Sequence, residues 1–211
     1  ENPDLTDLIN LYMVSGSNYG LHLDEKLLSV SRNVNSKVHF AENAPGYGIA
    51  TPDTLVCTKA ELTGNRVKAF FARHDNRVML KLLGLAGARN VTAVKSIEDS
   101  LAYVAEYDDD MIIILQQQLP LDLFIEMTVD LFVSDTEIRI ANIRKILFAE
   151  GLWVGNLIGE GVVLTAEQES ILIKVGEYAR SHGYTSAEGS NCGIDFFLKD
   201  DGSVIVTEIN A

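Results

Sequence analysis

The chain has 211 residues, of which 47% are hydrophobic, and its mean hydropathy of +0.11 is typical of a globular protein with a sizeable core. Lys and Arg number 17 against 30 Asp and Glu, and the resulting net charge of −13 argues against a nucleic-acid backbone or an anionic membrane surface as the main partner. Two distant cysteines and an N-terminus without signal-peptide features favour a cytoplasmic protein with reduced thiols. No apolar run approaches the roughly 18 residues of a transmembrane helix.

Apolar spacing predicts helices and strands that follow one another along the chain. Helical spacing predicts two short helices within residues 23–44, a helix ending near His74, one after the N-cap Ser96, and a long one between Thr165 and Gly183. Strands are predicted at 76–84, 91–94 and 111–119, in a long hairpin at 123–148 and in a closing hairpin at 193–211. Residues 151–164 are predicted as a loop. Since the strands come mostly as hairpins with helices between them, we predict an α+β fold with largely antiparallel sheets.

The closing segment, GIDFFLKDDGSVIVTEINA, carries acids at positions where apolar residues would be easier to bury. Asp-Gly at 201–202 suits a two-residue hairpin turn, which places Asp195 directly opposite Glu208. Side chains alternate along a strand, so Asn210 is expected on the face of Glu208, with Ile205, Thr207 and Ile209 on the other face. A three-residue loop would shift this register.

Two opposed carboxylates repel by roughly 3 kcal/mol at an effective dielectric near 20. A cation would offset this repulsion, and two carboxylates with an amide oxygen suit Mg²⁺ that is also held by phosphates. The alternative is an edge hairpin whose acids face water.

Lys81 interrupts the apolar strand VMLKLLG, so it either extends its ammonium to a sheet edge or meets a specific anion. Gly84 and Gly87 follow at once, with Arg89 just beyond them. A short loop with exposed N–H groups next to a lysine suits phosphate binding. The alternative is an ordinary turn after an edge lysine.

Further polar residues lie at ends or interruptions of apolar segments. Lys37 opens a helix-like stretch, and Gln116 and Gln117 end a strand where amides could read an adenine edge or lie in water. Glu126 interrupts an apolar strand and could accept from a ribose hydroxyl. Arg144 on the next strand could offset substrate charge. Each of these side chains is also compatible with a solvent-facing position.

The order of these features resembles the ATP-grasp superfamily across nearly the whole chain. The motifs that carry the resemblance are NSKVHF, GIATPDT, VMLKLLGLAG, IIILQQQ, EMTVDLFV and the closing hairpin. The most specific is the last, which looks like the family's metal-binding pattern of an acid on one strand and E-x-N on the next. Leu82 departs from the proline that often follows the family's strand lysine, and glutamine stands where the family's hinge often has glutamate.

The resemblance implies that two α+β subdomains with largely antiparallel sheets clasp ATP between them. It implies an ATP- and Mg²⁺-dependent ligase that makes an acylphosphate from a carboxylate and couples it to an amine. By residue, it assigns nucleotide binding to Lys37, Lys81, Gly84, Gly87, Gln116, Gln117 and Glu126, and Mg²⁺ to Asp195, Glu208 and Asn210. We expect Lys81, and Arg144 by its charge, to act in catalysis.

We expect three regions: an N-terminal remnant at 1–57, a small lid at 58–118 and a metal-binding subdomain at 119–211. The expected partners are a small-molecule carboxylate and an amine, such as an amino acid or short peptide, and whether the protein is a homo-oligomer is left open. The start of the usual N-terminal domain of the family is missing or shortened, so part of the substrate site is expected outside this chain. The alternatives are a non-catalytic ATP-binding domain with a regulatory or assembly role, and a structural α+β domain without nucleotide.

Overall fold

A computed structural model describes residues 29–30, 33–83, 90–149, 152–159 and 161–211. The described residues divide into two compact units, one formed by those up to residue 51 with those from 121 to 211 and the other by those from 52 to 120. Both contain helices and antiparallel sheets, which confirms the α+β prediction. Among the described residues, no helix is long and apolar enough to cross a membrane.

The larger unit is built on a five-stranded antiparallel sheet in the order β7-β6-β5-β8-β9. The strands are β5 (Phe124–Val133), β6 (Ile138–Ala149), β7 (Leu152–Leu157), β8 (Ser190–Lys199) and β9 (Val204–Asn210). Helix α4 (Ala166–Ser181) packs against one face through Leu172, Val175 and Tyr178, each fully buried. The opposite face of the sheet is therefore left for polar side chains.

Helix α4 begins and ends where the sequence predicts. The Thr165 hydroxyl accepts from the amide of Gln168, whose side chain accepts from the Thr165 amide in return, which forms a capping box. Gly183 follows the helix with φ +92, a conformation that glycine adopts without steric cost.

The smaller unit is built on a four-stranded antiparallel sheet in the order β1-β4-β2-β3. Its elements are β1 (Thr54–Thr58), α2 (Asn65–Arg73), β2 (Val78–Leu82), β3 (Val91–Val94), α3 (Ile97–Tyr103) and β4 (Ile112–Gln117). Phe70, Phe71, Leu80 and Leu115 are among the buried residues of a core that belongs to this unit alone. The predicted helix ending near His74 and the N-cap at Ser96 both match the structure.

Two expectations differ from the structure, and a third lies partly outside the described residues. Residues 152–157 form strand β7 rather than a loop, because they pair with the end of β6. The predicted pair of helices at 23–44 lies partly outside the described residues, and its described part contains helix α1 (Lys37–Asn43). The described residues before 52 belong to the larger unit, not to a separate remnant, because α1 packs against β9 and the 3-10 helix at Ala44–Tyr47 packs against α4.

Candidate functional site

The closing hairpin places Asp195 directly opposite Glu208, as the sequence predicts, but by a different route. Lys199 bonds to Ser203 across the turn, so the loop has three residues, 200–202, with Gly202 at φ +89. A three-residue loop alone would shift the register, and a β-bulge between Asp195 and Phe196 restores it. The prediction of a two-residue turn was therefore wrong, while the predicted pairing of the two acids is correct.

The bulge also changes which β9 side chains share a face. Val206 and Ile209 are both buried in the core of the larger unit, although their numbers differ by three. The expectation that Ile205 and Ile209 share a face was therefore wrong, because the extra residue at Thr207 inverts the alternation.

The acids of the hairpin are held by a small set of polar contacts. Asn210 Nδ2 donates to Asp195 Oδ2 at 3.2 Å, and Thr128 also hydrogen-bonds Asp195. Lys37 at the start of α1 forms an ion pair with Glu208. Burial raises the pKa of Asp195, and the negative charge of Glu208 raises it further. The structure thus joins the three predicted metal ligands and the predicted phosphate-binding lysine in one cluster.

This donor set fits a hard divalent cation held partly by a ligand. Two carboxylates and an amide oxygen are ligands that Mg²⁺ accepts, and Mg²⁺ usually completes its shell with water and phosphate oxygens. Within the described part of the chain, no group of three or more His, Cys, Asp or Glu side chains could hold a metal by itself. Two carboxylates and one amide oxygen supply only part of the six ligands that Mg²⁺ takes, so the hairpin suits a metal that is also held by phosphate.

A second polar cluster lies on the same sheet face, on strands β5 and β6. Asp130 accepts from Asn142 Nδ2 at 2.5 Å and pairs with Arg144 at 2.9 Å. In the strand pairing, Asp195 lies opposite Thr128 and Thr128 lies opposite Arg144, so the two clusters are neighbours on the face. Arg144 is a predicted site residue, whereas Asp130 and Asn142 were not predicted from the sequence. The signal was available, because residues 126, 128 and 130 are polar at every second position of an apolar strand.

Glu126 lies on the same face of β5 as Thr128 and Asp130, opposite Phe197 of β8. Its predicted contact with a ribose hydroxyl remains a prediction.

The smaller unit carries the remaining described candidates. Lys81 lies on β2 between Val91 and Ile114 of the neighbouring strands. Gln116 is buried and donates to the Thr54 hydroxyl at 3.1 Å. Gln116 and Gln117 are consecutive strand residues, so their side chains point to opposite faces of the sheet. Their predicted place beside adenine remains a prediction. Gly84, Gly87 and Arg89 lie outside the described residues.

Neither cysteine offers a nucleophile. Cys57 and Cys192 are both buried and free. Burial raises the pKa of the Cys57 thiol to about 11 and that of Cys192 to about 12, so both remain protonated at neutral pH.

The structure is similar to solved structures of several ligases and synthases. The match to D-alanine–D-alanine ligase from Coxiella burnetii covers 87% of this chain and 49% of the ligase chain, with a TM-score of 0.64 and 15% sequence identity. The match to carboxyaminoimidazole ribonucleotide synthase from Aspergillus clavatus, solved in complex with ATP, covers 86% of this chain and 46% of the synthase chain, with a TM-score of 0.65 and 16% sequence identity. The match to the VanG D-Ala:D-Ser ligase from Enterococcus faecalis covers 86% of this chain and 53% of the ligase chain, with a TM-score of 0.64 and 15% sequence identity.

No family model and no curated protein sequence matches the chain. The chain spans about half the length of the solved structures it matches. The D-alanine–D-alanine ligase and the ribonucleotide synthase are ATP-grasp enzymes, and their architecture of two largely antiparallel sheets is the one described above. The chain therefore has the ATP-grasp fold.

Proposed function

We propose that this chain is the nucleotide- and metal-binding part of a ligase that uses ATP to couple a small-molecule carboxylate to an amine. The observation that carries the proposal is Asp195 opposite Glu208, with Asn210 bonded to Asp195 and Lys37 paired with Glu208, on one face of an ATP-grasp fold. A merely structural hairpin would gain nothing from this opposed pair of acids.

Each group has a role in forming an acylphosphate from a carboxylate and ATP. The reaction requires that several negative charges approach one another, so positioning and charge neutralisation supply most of the rate enhancement. Asp195, Glu208 and Asn210 would hold Mg²⁺, which would offset the charge of the phosphates. Lys37 would then leave Glu208 and contact phosphate, and phosphate binding is also the role proposed for Lys81. Arg144 would offset the charge of the substrate carboxylate. An amine then attacks the acylphosphate carbonyl carbon and phosphate leaves.

The first experiment measures thermal unfolding with and without Mg²⁺ and a non-hydrolysable ATP analogue. At 100 times Kd the ligand adds about 2.7 kcal/mol to the free energy of unfolding, which is a shift of roughly 5 to 10 °C for a chain of this size. We expect this shift to require Mg²⁺ and to be largely lost in Glu208→Gln, which removes one of the two charges.

Glu137→Gln is the matched control, because Glu137 is an exposed glutamate of the same unit whose carboxylate pairs with Arg139 at 3.6 Å, away from the hairpin acids. Its ligand-induced shift should equal that of the unchanged protein. A shift that persists without Mg²⁺, or that Glu208→Gln retains, would contradict the metal assignment.

One observation favours a nucleotide-binding domain without catalysis. Lys37 already supplies a positive charge to Glu208, so the acids are partly compensated without a metal. Release of ADP that depends on an added carboxylate and amine separates a ligase from a domain that only binds nucleotide.

A further inference from the structure

Asn35 connects the segment before α1 to the end of strand β9. Its Nδ2 atom donates to the backbone oxygen of Ala211 at 2.7 Å, and its Oδ1 atom accepts from the Ala211 amide at 2.6 Å. The two residues are 176 positions apart in the sequence. One side-chain amide thus exchanges two hydrogen bonds with one backbone residue, which is the pattern that a neighbouring antiparallel strand would supply.

The end of β9 lacks other support of this kind, because β9 is an edge strand of the five-stranded sheet. Among the described residues, β8 is its strand neighbour, and a bulge between Asp195 and Phe196 interrupts that register. The pairing with β8 ends at Asn210. Backbone groups at a sheet edge otherwise bond to water. Ala211 is therefore held by the Asn35 side chain rather than by strand pairing.

The backbone that carries Asn35 is itself fixed by packing. Val34 is fully buried in the core of the larger unit, and Phe40 of α1 is 2% exposed in the same core. Between them, the hydroxyl of Ser36 accepts from the His39 amide and caps α1. Asn35 is therefore presented to β9 by packed backbone on both sides, not by an exposed loop.

Both ends of this connection carry a residue of the candidate site. Ala211 directly follows Asn210, one of the predicted metal ligands. Two residues after Asn35, Lys37 pairs with Glu208. The two hydrogen bonds of Asn35 thus hold together the backbone segments that carry Asn210 and Lys37. Residues that orient metal ligands in this indirect way typically change metal affinity by about 10- to 100-fold when they are replaced.

We propose that Asn35 is a positioning residue of the Mg²⁺–nucleotide site, which acts through Asn210 and Lys37 and touches neither metal nor nucleotide. The inference rests on the proposed function and deepens it. Asn210 Nδ2 donates to Asp195, so the ligand atom would be Asn210 Oδ1, and its place depends on where β9 ends. Asn35 also keeps α1 attached to β9 while Lys37 exchanges Glu208 for phosphate.

The test is a Mg²⁺ titration of the thermal unfolding of the 211-residue chain at a fixed concentration of the non-hydrolysable ATP analogue. Asn35→Ala removes both bonds to Ala211 and leaves every proposed ligand in the sequence. The Mg²⁺ midpoint, the concentration that gives half of the ligand-induced shift, should rise about tenfold or more. A role limited to stability would lower the unfolding temperature with and without ligand alike, and would leave the midpoint unchanged.

Asn43→Ala is the matched control, because Asn43 ends α1 and its Nδ2 atom also donates to a backbone oxygen, that of His39, at 2.8 Å. Its Mg²⁺ midpoint should equal that of the unchanged chain. An unchanged midpoint in Asn35→Ala would overturn the inference.

Asn35→Asp decides the question if Asn35→Ala does not fold. It keeps the acceptor for the Ala211 amide and removes the donor to the Ala211 oxygen. The added negative charge by itself favours Mg²⁺, so a higher midpoint in this variant has to come from lost position. An equal or lower midpoint would overturn the inference. If neither variant folds, Asn35 is required for folding itself and the inference also fails.

Amide hydrogen exchange without ligand gives a second readout. The Ala211 amide should exchange faster in Asn35→Ala and at the unchanged rate in Asn43→Ala, because only the first variant removes its acceptor. Unchanged exchange at Ala211 in Asn35→Ala would contradict the proposed role.

The unchanged chain separates failure of this inference from failure of the proposed function. If it shows no Mg²⁺-dependent shift, the proposed function fails, and the inference with it. If the shift is present and Asn35→Ala keeps the Mg²⁺ midpoint, only the inference fails.

Discussion

Asp195 is a buried carboxylate that faces a second carboxylate, and this sets its ionisation. Burial and the charge of Glu208 both raise its pKa above the ordinary value of 3.8, while bonds from Thr128 and Asn210 and the charge of Lys37 act in the other direction. As the pH falls, Asp195 therefore becomes protonated in the folded chain at a higher pH than in the unfolded chain. The ionised form of Asp195 thus lowers the free energy of unfolding at neutral pH, and this cost disappears as the pH falls towards 3.8.

Asp195→Asn should be more stable than the unchanged chain at neutral pH, by up to about 1 kcal/mol, because one of two opposed like charges is gone. The difference should vanish in acid, where the aspartate is protonated in both states. Urea unfolding midpoints of both proteins across a pH series measure this.

Asp201→Asn is a control of opposite sign, because Lys199 and Ser203 lower the pKa of Asp201. That variant should lose stability at neutral pH and match the unchanged chain in strong acid. An Asp195→Asn protein that is less stable at neutral pH would contradict the account of Asp195.

At the scale of one element, the β8–β9 hairpin combines two local irregularities that compensate each other. The three-residue loop moves the register by one residue, and the bulge before Phe196 moves it back. The loop depends on Gly202, because φ +89 is a conformation that other L-residues rarely adopt.

Gly202→Ala should lower the free energy of unfolding by about 1–2 kcal/mol, the cost of a left-handed conformation for a residue with Cβ. Gly46→Ala is the matched control, since Gly46 has no positive φ and no atom of the described residues lies within 4 Å of the added Cβ. Chemical denaturation of both variants measures the difference. Equal stabilities would show that the loop adapts to the added methyl group.

At the scale of the whole molecule, each unit has its own hydrophobic core. The core of the larger unit includes Val129, Leu131 and Leu172, and that of the smaller unit includes Leu80 and Leu115. Stability is therefore expected to be distributed by unit rather than evenly along the chain.

Leu80→Ala should cost about 2–5 kcal/mol, because Leu80 is fully buried and the cavity closes only partly. Hydrogen exchange should become faster mainly in strands β1 to β4. Leu131→Ala, equally buried in the other unit, should speed exchange mainly in β5 to β9. Equal acceleration in both units after either change would show that the chain unfolds as one cooperative body.

The sequence by itself determined the α+β class and the main helices. These follow from local causes: apolar periodicity and the capping pair at Thr165 and Gln168. The pairing of Asp195 with Glu208 was predicted from a two-residue turn, whereas the structure reaches it by a three-residue loop and a compensating bulge. The boundaries of the units and strand β7 could not be predicted in this way. They depend on which segments pack together, as when α1 joins the C-terminal sheet.

Only the tertiary structure decided how distant residues share the sheet face. Lys37 and Glu208 are far apart in sequence, and so are Asp130 and Gly193, but strand order and register bring each pair together. The bulge at Thr207 had no local signal, and it decides which β9 side chains face the site. Register within a sheet is set by packing of the buried face against α4, which is a property of the whole unit and not of any one segment.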